Sequence, residues 1–281
     1  MSRTAIEAEA TSGAVIYDFG MNNGDDVEYY LHKGVRVVGV EANPKLCEQV
    51  RQRFAADIEQ GRLTVLNVAL AEKDSAEPIT FYVHKYNHVL SRLPEPPADM
   101  LDQFTPIEVA CRTPASIVRE HGEPLYVKID VEHYDYEVLQ NLFAAGIFPP
   151  EISAESHSVQ IFACLVVNGY KAFSLVEGST VGRDYRSATI ATPQGQRQFR
   201  FREHSAGPFG EDIKAPWEDA QTFFHTLAIA GLGWKDIHAS RVIAPSPPAS
   251  SATIAARQAA RLFRRSLLLL KTRTIGRFGR G

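Results

Sequence analysis

Residues 15–24 read Val-Ile-Tyr-Asp-Phe-Gly-Met-Asn-Asn-Gly, and this stretch decides the fold. Its apolar beginning is typical of a buried strand, and the strand ends close to Asp18. Gly20 and Gly24 come next, and glycine lets a backbone turn tightly and approach a ligand closely. The pattern predicts a strand, a glycine turn and a helix, with a ligand beside the turn.

A second apolar strand is predicted at residues 35–40, and it presents Glu41 at its carboxyl end. Glu41 belongs to the run Gly-Val-Glu-Ala-Asn-Pro at residues 39–44. An acid about 20 positions beyond a glycine turn is placed to accept hydrogen bonds from the two hydroxyls of a ribose. The two stretches together predict a site for a nucleoside.

The spacing of the glycines separates two kinds of nucleoside ligand. Dinucleotide sites use G-x-G-x-x-G, which seats a pyrophosphate against the helix N-terminus. Here the pattern is D-x-G-x-x-x-G, with Asp18 where the first glycine would be. A carboxylate there would repel a pyrophosphate but suits a ligand that carries an ammonium and a sulfonium. The pattern predicts S-adenosylmethionine rather than NAD, and a buried turn without a ligand remains the alternative.

The composition is that of an ordinary globular protein, with 281 residues, 44% hydrophobic and 22% charged. This length allows one large domain with appendages. No apolar run reaches the roughly 18 residues of a membrane span, and residues 1–13 lack the pattern of a signal peptide. We therefore expect a cytoplasmic protein. Cys47, Cys111 and Cys164 are isolated from one another and are expected in the core.

Charge is distributed unevenly along the chain. Residues 241–281 hold nine of the 30 Lys and Arg and no acid, which leaves 21 bases against 33 acids in the preceding part. An acidic body argues against nucleic acid as the main substrate, because phosphate binding needs a basic face. Residues 254–271 predict a basic amphipathic helix that contacts an anionic membrane surface or a protein, and a disordered tail is the alternative. Peripheral attachment at the inner membrane surface and a homo-oligomer both remain open.

Strands and helices alternate through most of the chain, which is typical of a doubly wound sheet with its ligand crevice at the carboxyl edge. After the first strand, further strands are predicted at residues 35–40, 63–70, 78–85, 107–112, 125–130, 151–156, 170–176 and 198–203, the last closing the sheet. Helices are predicted at residues 44–56, 114–121, 134–145, 159–168 and 217–230. We divide the chain into an N-terminal extension (1–13), a main domain (14–204), a helical extension packed on it (205–243), and a linker with a basic tail (244–281).

Four motifs resemble one known family. They read D-F-G-M-N-N-G at 18–24, G-V-E-A-N-P at 39–44, N-V-A-L at 67–70 and V-K-I-D-V-E-H-Y-D-Y-E-V-L at 127–139. With these motifs the chain resembles the FkbM-type S-adenosylmethionine-dependent methyltransferases over about residues 15–177.

The resemblance implies a class I methyltransferase fold. This is an α/β fold with a Rossmann-like, doubly wound, mostly parallel seven-stranded sheet and helices on both faces. It also implies S-adenosyl-L-methionine as cofactor and S-adenosyl-L-homocysteine as product. The implied reaction is O-methylation of a hydroxyl on a sugar, a glycan or a small natural product. The cofactor-binding residues expected from the motifs are Asp18, Gly20, Asn22, Asn23, Gly24, Glu41, Ala42, Asn43, Ala69 and Asp130.

Methyl transfer to a hydroxyl needs aligned reactants and a base that removes the proton. The expected catalytic residues are Asp130, Glu132, His133 and His157. Two positions depart from the family pattern, since His133 stands where the family usually has Gly and Asp135 where it usually has Glu. A histidine at position 133 gives up the freedom of glycine to adopt a positive φ and adds a titratable ring.

Three questions stay open at this point. Asp130 and Glu155 are hard oxygen ligands that a divalent cation such as Mg²⁺ would accept, but two ligands do not establish a metal site. The departures at His133 and Asp135 also fit a module that binds S-adenosylmethionine without turnover. The basic tail fits a membrane-associated modifier of lipid-linked glycans.

Overall fold

The computed structural model describes residues 13–93, 95–203 and 205–246. The predicted basic tail and nearly all of the predicted N-terminal extension lie outside these residues. Within them, the helical elements include no helix that is long and apolar enough to cross a membrane.

The described residues form a series of strands and α-helices in close agreement with the predicted alternation. The strands are β1 (Val15–Phe19), β2 (Arg36–Val40), β3 (Leu63–Leu66), β4 (Ala69–Leu70), β5 (Ser75–His84), β6 (Phe104–Arg112), β7 (Pro124–Ile129), β8 (Glu151–Ser156), β9 (Ala172–Glu177), β10 (Ala188–Thr192), β11 (Gly195–Phe199) and β12 (Gly233–Ser240). The helices are α1 (Val27–His32), α2 (Pro44–Arg53), α3 (Ala55–Glu59), α4 (Pro114–His121), α5 (Asp135–Ala144), α6 (Val159–Val167), α7 (Val181–Asp184) and α8 (Ala220–Ala230).

Seven of the strands form the central sheet, in the order β3-β2-β1-β7-β8-β12-β9. Neighbouring strands from β3 to β8 pair in parallel, whereas β12 is antiparallel to both β8 and β9. The predicted α/β class with a mostly parallel seven-stranded sheet is confirmed. In this order the carboxyl ends of β2, β1, β7 and β8 follow one another along one edge.

Two strand predictions were wrong. Residues 198–203 do not close the central sheet, because β11 pairs with β10 in a separate hairpin and β12 is the seventh strand. The physical reason is burial: most of β11 is exposed, while Ile237 to Ser240 in β12 are buried. The predicted strand at 63–70 is divided, since β3 joins the central sheet and β4 joins a smaller sheet ordered β4-β6-β5.

Side chains alternate between the two faces of the central sheet and supply two cores. Tyr17 and Phe19 pack on one face against α4, α5, α6 and α8. Ile16 points to the other face, where it belongs to a core with α1, α2 and aromatic residues after β11, including Phe201 and Phe209. Helices on both faces confirm the doubly wound arrangement and leave the strand ends open for a site.

The start of α2 follows the prediction that Asn43 caps a helix opened by Pro44. The Asn43 side chain accepts a hydrogen bond from the backbone N–H of Lys45, and Pro44 occupies the first turn. Proline is favoured there because its missing N–H has no helical partner in any case. The cap fixes where the chain leaves β2, and so fixes the backbone around Glu41.

Candidate functional site

A cavity of about 510 Å³ opens at the carboxyl edge of the central sheet. Its volume lies within the roughly 300–1,000 Å³ of small-molecule and cofactor sites. Most of the predicted site residues line it, namely Gly20, Asn22, Asn23, Glu41, Ala42, Ala69, Asp130, Glu132, His133 and His157. The structure does not bring Asp18, Gly24 or Asn43 to the cavity wall.

The glycine turn packs directly against the end of β7. Gly20 has a φ of 84°, and a Cβ placed on it would lie 1.7 Å from the carbonyl oxygen of Asp130. The backbone N–H groups of Gly20 and Met21 both donate to the carbonyl oxygen of Val40, at 3.0 and 2.9 Å. The turn is therefore held between β2 and β7, and no side chain fits at its tightest point.

Glu41 is a largely buried carboxylate that faces the cavity and is held at both oxygens. Oε2 accepts the backbone N–H of Asn22 at 2.9 Å, and Oε1 accepts that of Asn43 at 2.7 Å. Burial raises the pKa of Glu41 to about 7, although these two hydrogen bonds oppose the shift. Each carboxylate oxygen has a further lone pair, so Glu41 can accept additional hydrogen bonds from a ligand's hydroxyls.

Lys128 is the centre of a buried charge cluster beneath the cavity, and it was not among the predicted site residues, because a lysine at this position was expected to snorkel to the strand end. Its Nζ lies 3.2 Å from Oδ1 of Asp18, 3.3 Å from Oδ2 of Asp130 and 3.8 Å from Oδ2 of Asp26. It also donates to the carbonyl oxygen of Gly20 at 3.1 Å. Burial lowers the pKa of Lys128, but the surrounding carboxylates outweigh it and raise the pKa well above its ordinary value. The available signal was a lysine inside the apolar strand β7.

Asp18 therefore has a different position from the one we expected. Its side chain is fully buried and pairs with Lys128. Two acids reach the cavity from this side instead, Asp25 and the residue before α1, Asp26. The carboxylate of Asp26 accepts the hydroxyl of Ser205 and the backbone N–H of Ala206, which ties the segment after β11 to the glycine turn.

Three acids and a histidine gather at the ends of β7 and β8. One carboxylate oxygen from each of Asp130, Glu132 and Glu155 lies within 4.8 Å of the others. Nε2 of His157 lies 2.8 Å from Oε2 of Glu155 and 4.0 Å from Oε2 of Glu132. Burial lowers the pKa of His157, but Glu155 outweighs this effect and the pKa rises to about 9. Burial and the neighbouring acids raise the pKa of Glu132 to about 8.

His133 lies against His157, with ring centroids 4.3 Å apart. Burial lowers the pKa of His133, and the charge on His157 lowers it further. His133 has a φ of 70° and Glu132 a φ of 43°, so both occupy the left-handed region. That conformation costs a non-glycine residue about 1–2 kcal/mol. The backbone thus keeps the positive φ that a glycine would adopt, while adding a neutral imidazole to the cavity.

Two more buried acids surround this cluster and were not predicted as site residues. Asp135 is 1% exposed, and neither carboxylate oxygen has a hydrogen-bond partner among the described residues. Asp236 is buried on β12, opposite Glu155. Burial, followed by the charge of Asp130, raises the pKa of both acids well above the ordinary value. Asp236 could not be anticipated because residues 233–240 were not predicted as a strand.

The acids at the strand ends are chemically able to hold a hard cation. Asp130, Glu132 and Glu155 supply oxygen ligands of the kind that Mg²⁺ and Ca²⁺ accept. Lys128 and His157 already place positive charge beside two of these three residues. A metal ion would therefore compete with cations that the protein itself provides.

The family is shown by the match of its sequence model. The model described as the methyltransferase FkbM domain matches residues 18–166, more than half of the chain. The chain belongs to the FkbM methyltransferase family. The family match confirms S-adenosylmethionine, the cofactor that the sequence motifs predicted.

One curated relative matches a short part of this FkbM methyltransferase. A probable ribosomal RNA small subunit methyltransferase A of Methanospirillum hungatei is 38% identical over 55 residues. The match covers 20% of this chain and 22% of that protein. Because the chain spans only about a fifth of that relative's length, the similarity does not extend to its substrate.

Several solved methyltransferase structures are similar to parts of the fold. The methyltransferase PaMTH1 of Podospora anserina, solved with S-adenosylhomocysteine, shares 12% identity over 56% of this chain and 53% of its own, with a TM-score of 0.31. An S-adenosylmethionine-dependent O-methyltransferase of Thermotoga maritima shares 10% identity over 87% of this chain and 66% of its own, with a TM-score of 0.35. A precorrin-6y C5,15-methyltransferase of Geobacter metallireducens shares 12% identity over 71% of this chain and 84% of its own, with a TM-score of 0.33. Similarities of this size carry no argument about the acceptor.

Proposed function

We propose that this methyltransferase methylates a hydroxyl oxygen of a sugar, a glycan or a small natural product, with His133 as the general base. The observation that carries the proposal is the contact between His133 and His157. Their surroundings move the two pKa values in opposite directions. A pair of titratable groups separated in this way is the usual sign of distinct acid and base roles.

The base assignment follows from the charge states near neutral pH. His157, with a pKa of about 9, is protonated and has no free lone pair to accept a proton. Glu132, with a pKa of about 8, is mostly protonated as well. His133 is neutral and lines the cavity, so it is able to accept the proton of an acceptor hydroxyl.

The residues at the other end of the cavity fit the cofactor. S-adenosylmethionine supplies a methyl group on a positively charged sulfur, which leaves as the neutral thioether. Glu41 offers carboxylate lone pairs to ribose hydroxyls, and Asp25 and Asp26 line the cavity near the glycine turn. The acidic composition of residues 1–240, with 33 acids against 21 bases, supports a neutral acceptor and argues against nucleic acid.

The first test is calorimetric titration with S-adenosylmethionine and S-adenosylhomocysteine, followed by transfer of labelled methyl to hydroxyl compounds. His133→Ala is expected to leave the Kd of S-adenosylhomocysteine unchanged and to lower kcat by about 10²–10⁴-fold. His225→Ala is the matched control, since His225 is exposed on α8. Full activity in His133→Ala would remove the base role. Binding without transfer to any acceptor would favour the alternative, a cofactor-binding module.

Two further roles have their own tests. If Asp130, Glu132 and Glu155 hold a divalent cation, methyl transfer stops on dialysis against EDTA and returns with Mg²⁺.

If residues 247–281 attach the protein to membranes that carry lipid-linked glycans, the full chain floats with anionic liposomes and a chain ending at Ser246 does not. Equal flotation of both chains would exclude a role for the tail.

A further inference from the structure

Trp234 stands at the end of the cavity opposite the ribose-binding acid. It lines the cavity with Glu155, His133 and His157, and the residue is 47% exposed. In the central sheet, β1, β7 and β8 separate β12 from β2, which carries Glu41. Four strand spacings amount to roughly 19 Å. The indole therefore belongs to the acceptor half of the cavity.

An irregularity in β12 brings Trp234 to this position. Asp236 is opposite Glu155 on β8, but the next pair is Gly233 with Ser156, so β12 has two extra residues there. The hydroxyl of Ser156 donates to the carbonyl oxygen of Gly233 at 2.9 Å and holds the end of the strand. Bulges beside active sites commonly redirect a side chain. Here the bulge contains Trp234.

The indole lies flat against a glycine that leaves space for it. A Cβ placed on Gly178, just after β9, would lie 2.4 Å from Nε1 and 2.5 Å from Cδ1 of Trp234. The φ of Gly178 is outside the left-handed region, so its backbone does not require glycine. Glycine is needed at position 178 only because the indole occupies the space that a side chain would fill. This contact fixes the position of one face of the indole ring.

We infer that Trp234 is the platform on which the acceptor stacks, and that the acceptor is a carbohydrate. Sugars present a face of C–H bonds, which packs on an aromatic ring, and a rim of hydroxyls, which bind carboxylates and imidazoles. The cavity supplies both partners at this end, with the indole beside Glu155, His133 and His157. The other apolar lining residues lie at both ends, with Ala69 and Phe81 in the smaller sheet and Val131 and Tyr134 on either side of Glu132 and His133.

This inference rests on the proposed O-methylation and narrows it to one acceptor class. The reaction forms the bond between the sugar oxygen and the methyl carbon and breaks the bond between that carbon and sulfur. The sulfur keeps the electron pair, and His133 takes the hydroxyl proton. Trp234 takes no part in these steps, since its contribution is to hold the sugar ring in place.

The experiment uses the full chain, labelled cofactor and a panel of probes. The probes are the methyl glycosides of glucose, mannose, galactose, rhamnose and fucose, with catechol and benzylamine as other classes. Label is expected in at least one glycoside. With that glycoside, Trp234→Ala is expected to raise KM at least tenfold and to leave the Kd of S-adenosylhomocysteine unchanged, whereas Trp234→Phe keeps most of the activity.

Gly178→Ala disturbs the contact between Gly178 and the indole but leaves Trp234 itself unchanged. It is expected to raise KM in the direction of Trp234→Ala, and the double variant is expected to be no worse than Trp234→Ala alone. An unchanged KM in Trp234→Ala would overturn the platform. Label in catechol alone would overturn the carbohydrate inference and leave O-methylation standing, whereas label in benzylamine alone would overturn both. Binding of S-adenosylhomocysteine with no label in any probe would also overturn the carbohydrate inference.

Discussion

The two ends of the cavity are built in different ways. At the cofactor end, Glu41 and the glycine turn have their polar groups paired by backbone hydrogen bonds from neighbouring segments. At the acceptor end, His133 is held in a left-handed conformation and Asp135 is buried without a hydrogen-bond partner among the described residues. Some strain is also present at the cofactor end, where Asn22 has a φ of 52°, but the carboxylate that faces the ligand there is held at both oxygens. We therefore expect that substitutions at the cofactor end change mainly cofactor binding, whereas substitutions at the acceptor end change mainly catalysis.

The largest expected effect is at Lys128, which serves both ends. Lys128→Met would leave Asp18, Asp26 and Asp130 close together without their shared cation. Removing one partner of a buried charge cluster costs about 3–5 kcal/mol, so the free energy of unfolding in urea should fall by that amount. Adding Asp18→Asn to the variant should restore part of the loss. A variant as stable as the wild type would show that the cluster is not a framework for either end.

The next effect is expected at Gly20, where the two ends touch. Gly20→Ala would push the carbonyl of Asp130, and strain with overpacking together cost about 2–5 kcal/mol. We expect a lower unfolding midpoint and no calorimetric binding of S-adenosylhomocysteine. Gly61→Ala is the control, because Gly61 has a similar φ of 68° with nothing within 4 Å of its Cβ. Equal losses in both variants would mean that backbone strain, and not the contact with β7, explains the result.

A smaller effect separates binding from turnover. Glu41→Gln replaces a carboxylate that can accept the ligand's hydroxyls by an amide whose NH₂ group cannot accept them, and hydrogen bonds to charged groups are worth about 1.5–3 kcal/mol. The Kd of S-adenosylhomocysteine should therefore rise roughly tenfold to a hundredfold, as measured by calorimetry. At saturating cofactor, kcat should change little. If kcat falls as strongly as affinity, the two ends are not independent.

The smallest effect is a pH dependence of stability that belongs to the acceptor end. His157 has a folded-state pKa of about 9, above its ordinary value of 6.5, so its contribution is complete below pH 6.5 and is lost as the pH rises through 9. Glu132 acts in the same direction, because its pKa of about 8 also means that the folded state binds the proton more tightly. The Tm should fall by a few degrees between pH 6.5 and 9. His157→Gln should flatten that slope, and an unchanged slope would contradict the pairing with Glu155.

The features of the site that the sequence predicts are those formed by residues that lie close together along the chain. The glycine turn and Glu41 follow single strands, and Gly20 and Glu41 both line the cavity. The capped start of α2 at Asn43 is likewise as predicted. Each of these features depends on residues within a few positions along the chain. Local chemistry is sufficient to specify them.

The part that could not be read depends on distant pairing. Residues 233–240 mix glycine, charged and small residues, so they lack the alternation of a recognisable strand. Only the pairing with β8 and β9 buries Asp236 and places Trp234 at the cavity. Asp18 was misplaced for a related reason, because its partner Lys128 lies 110 positions along the chain. Nothing close to Asp18 in the sequence reveals that pairing.

The insertion of β12 between β8 and β9 also has a consequence for how the chain is made. During synthesis β8 and β9 are complete well before β12, which is the last strand of the described residues. Non-local pairing of this kind slows folding and leaves strand edges exposed in intermediates. A nascent chain can therefore form the cofactor half of the cavity from its first strands. Trp234 and Asp236 join the acceptor end only after the final strand enters the sheet, so we expect a chain that ends before β12 to lack full methyl transfer.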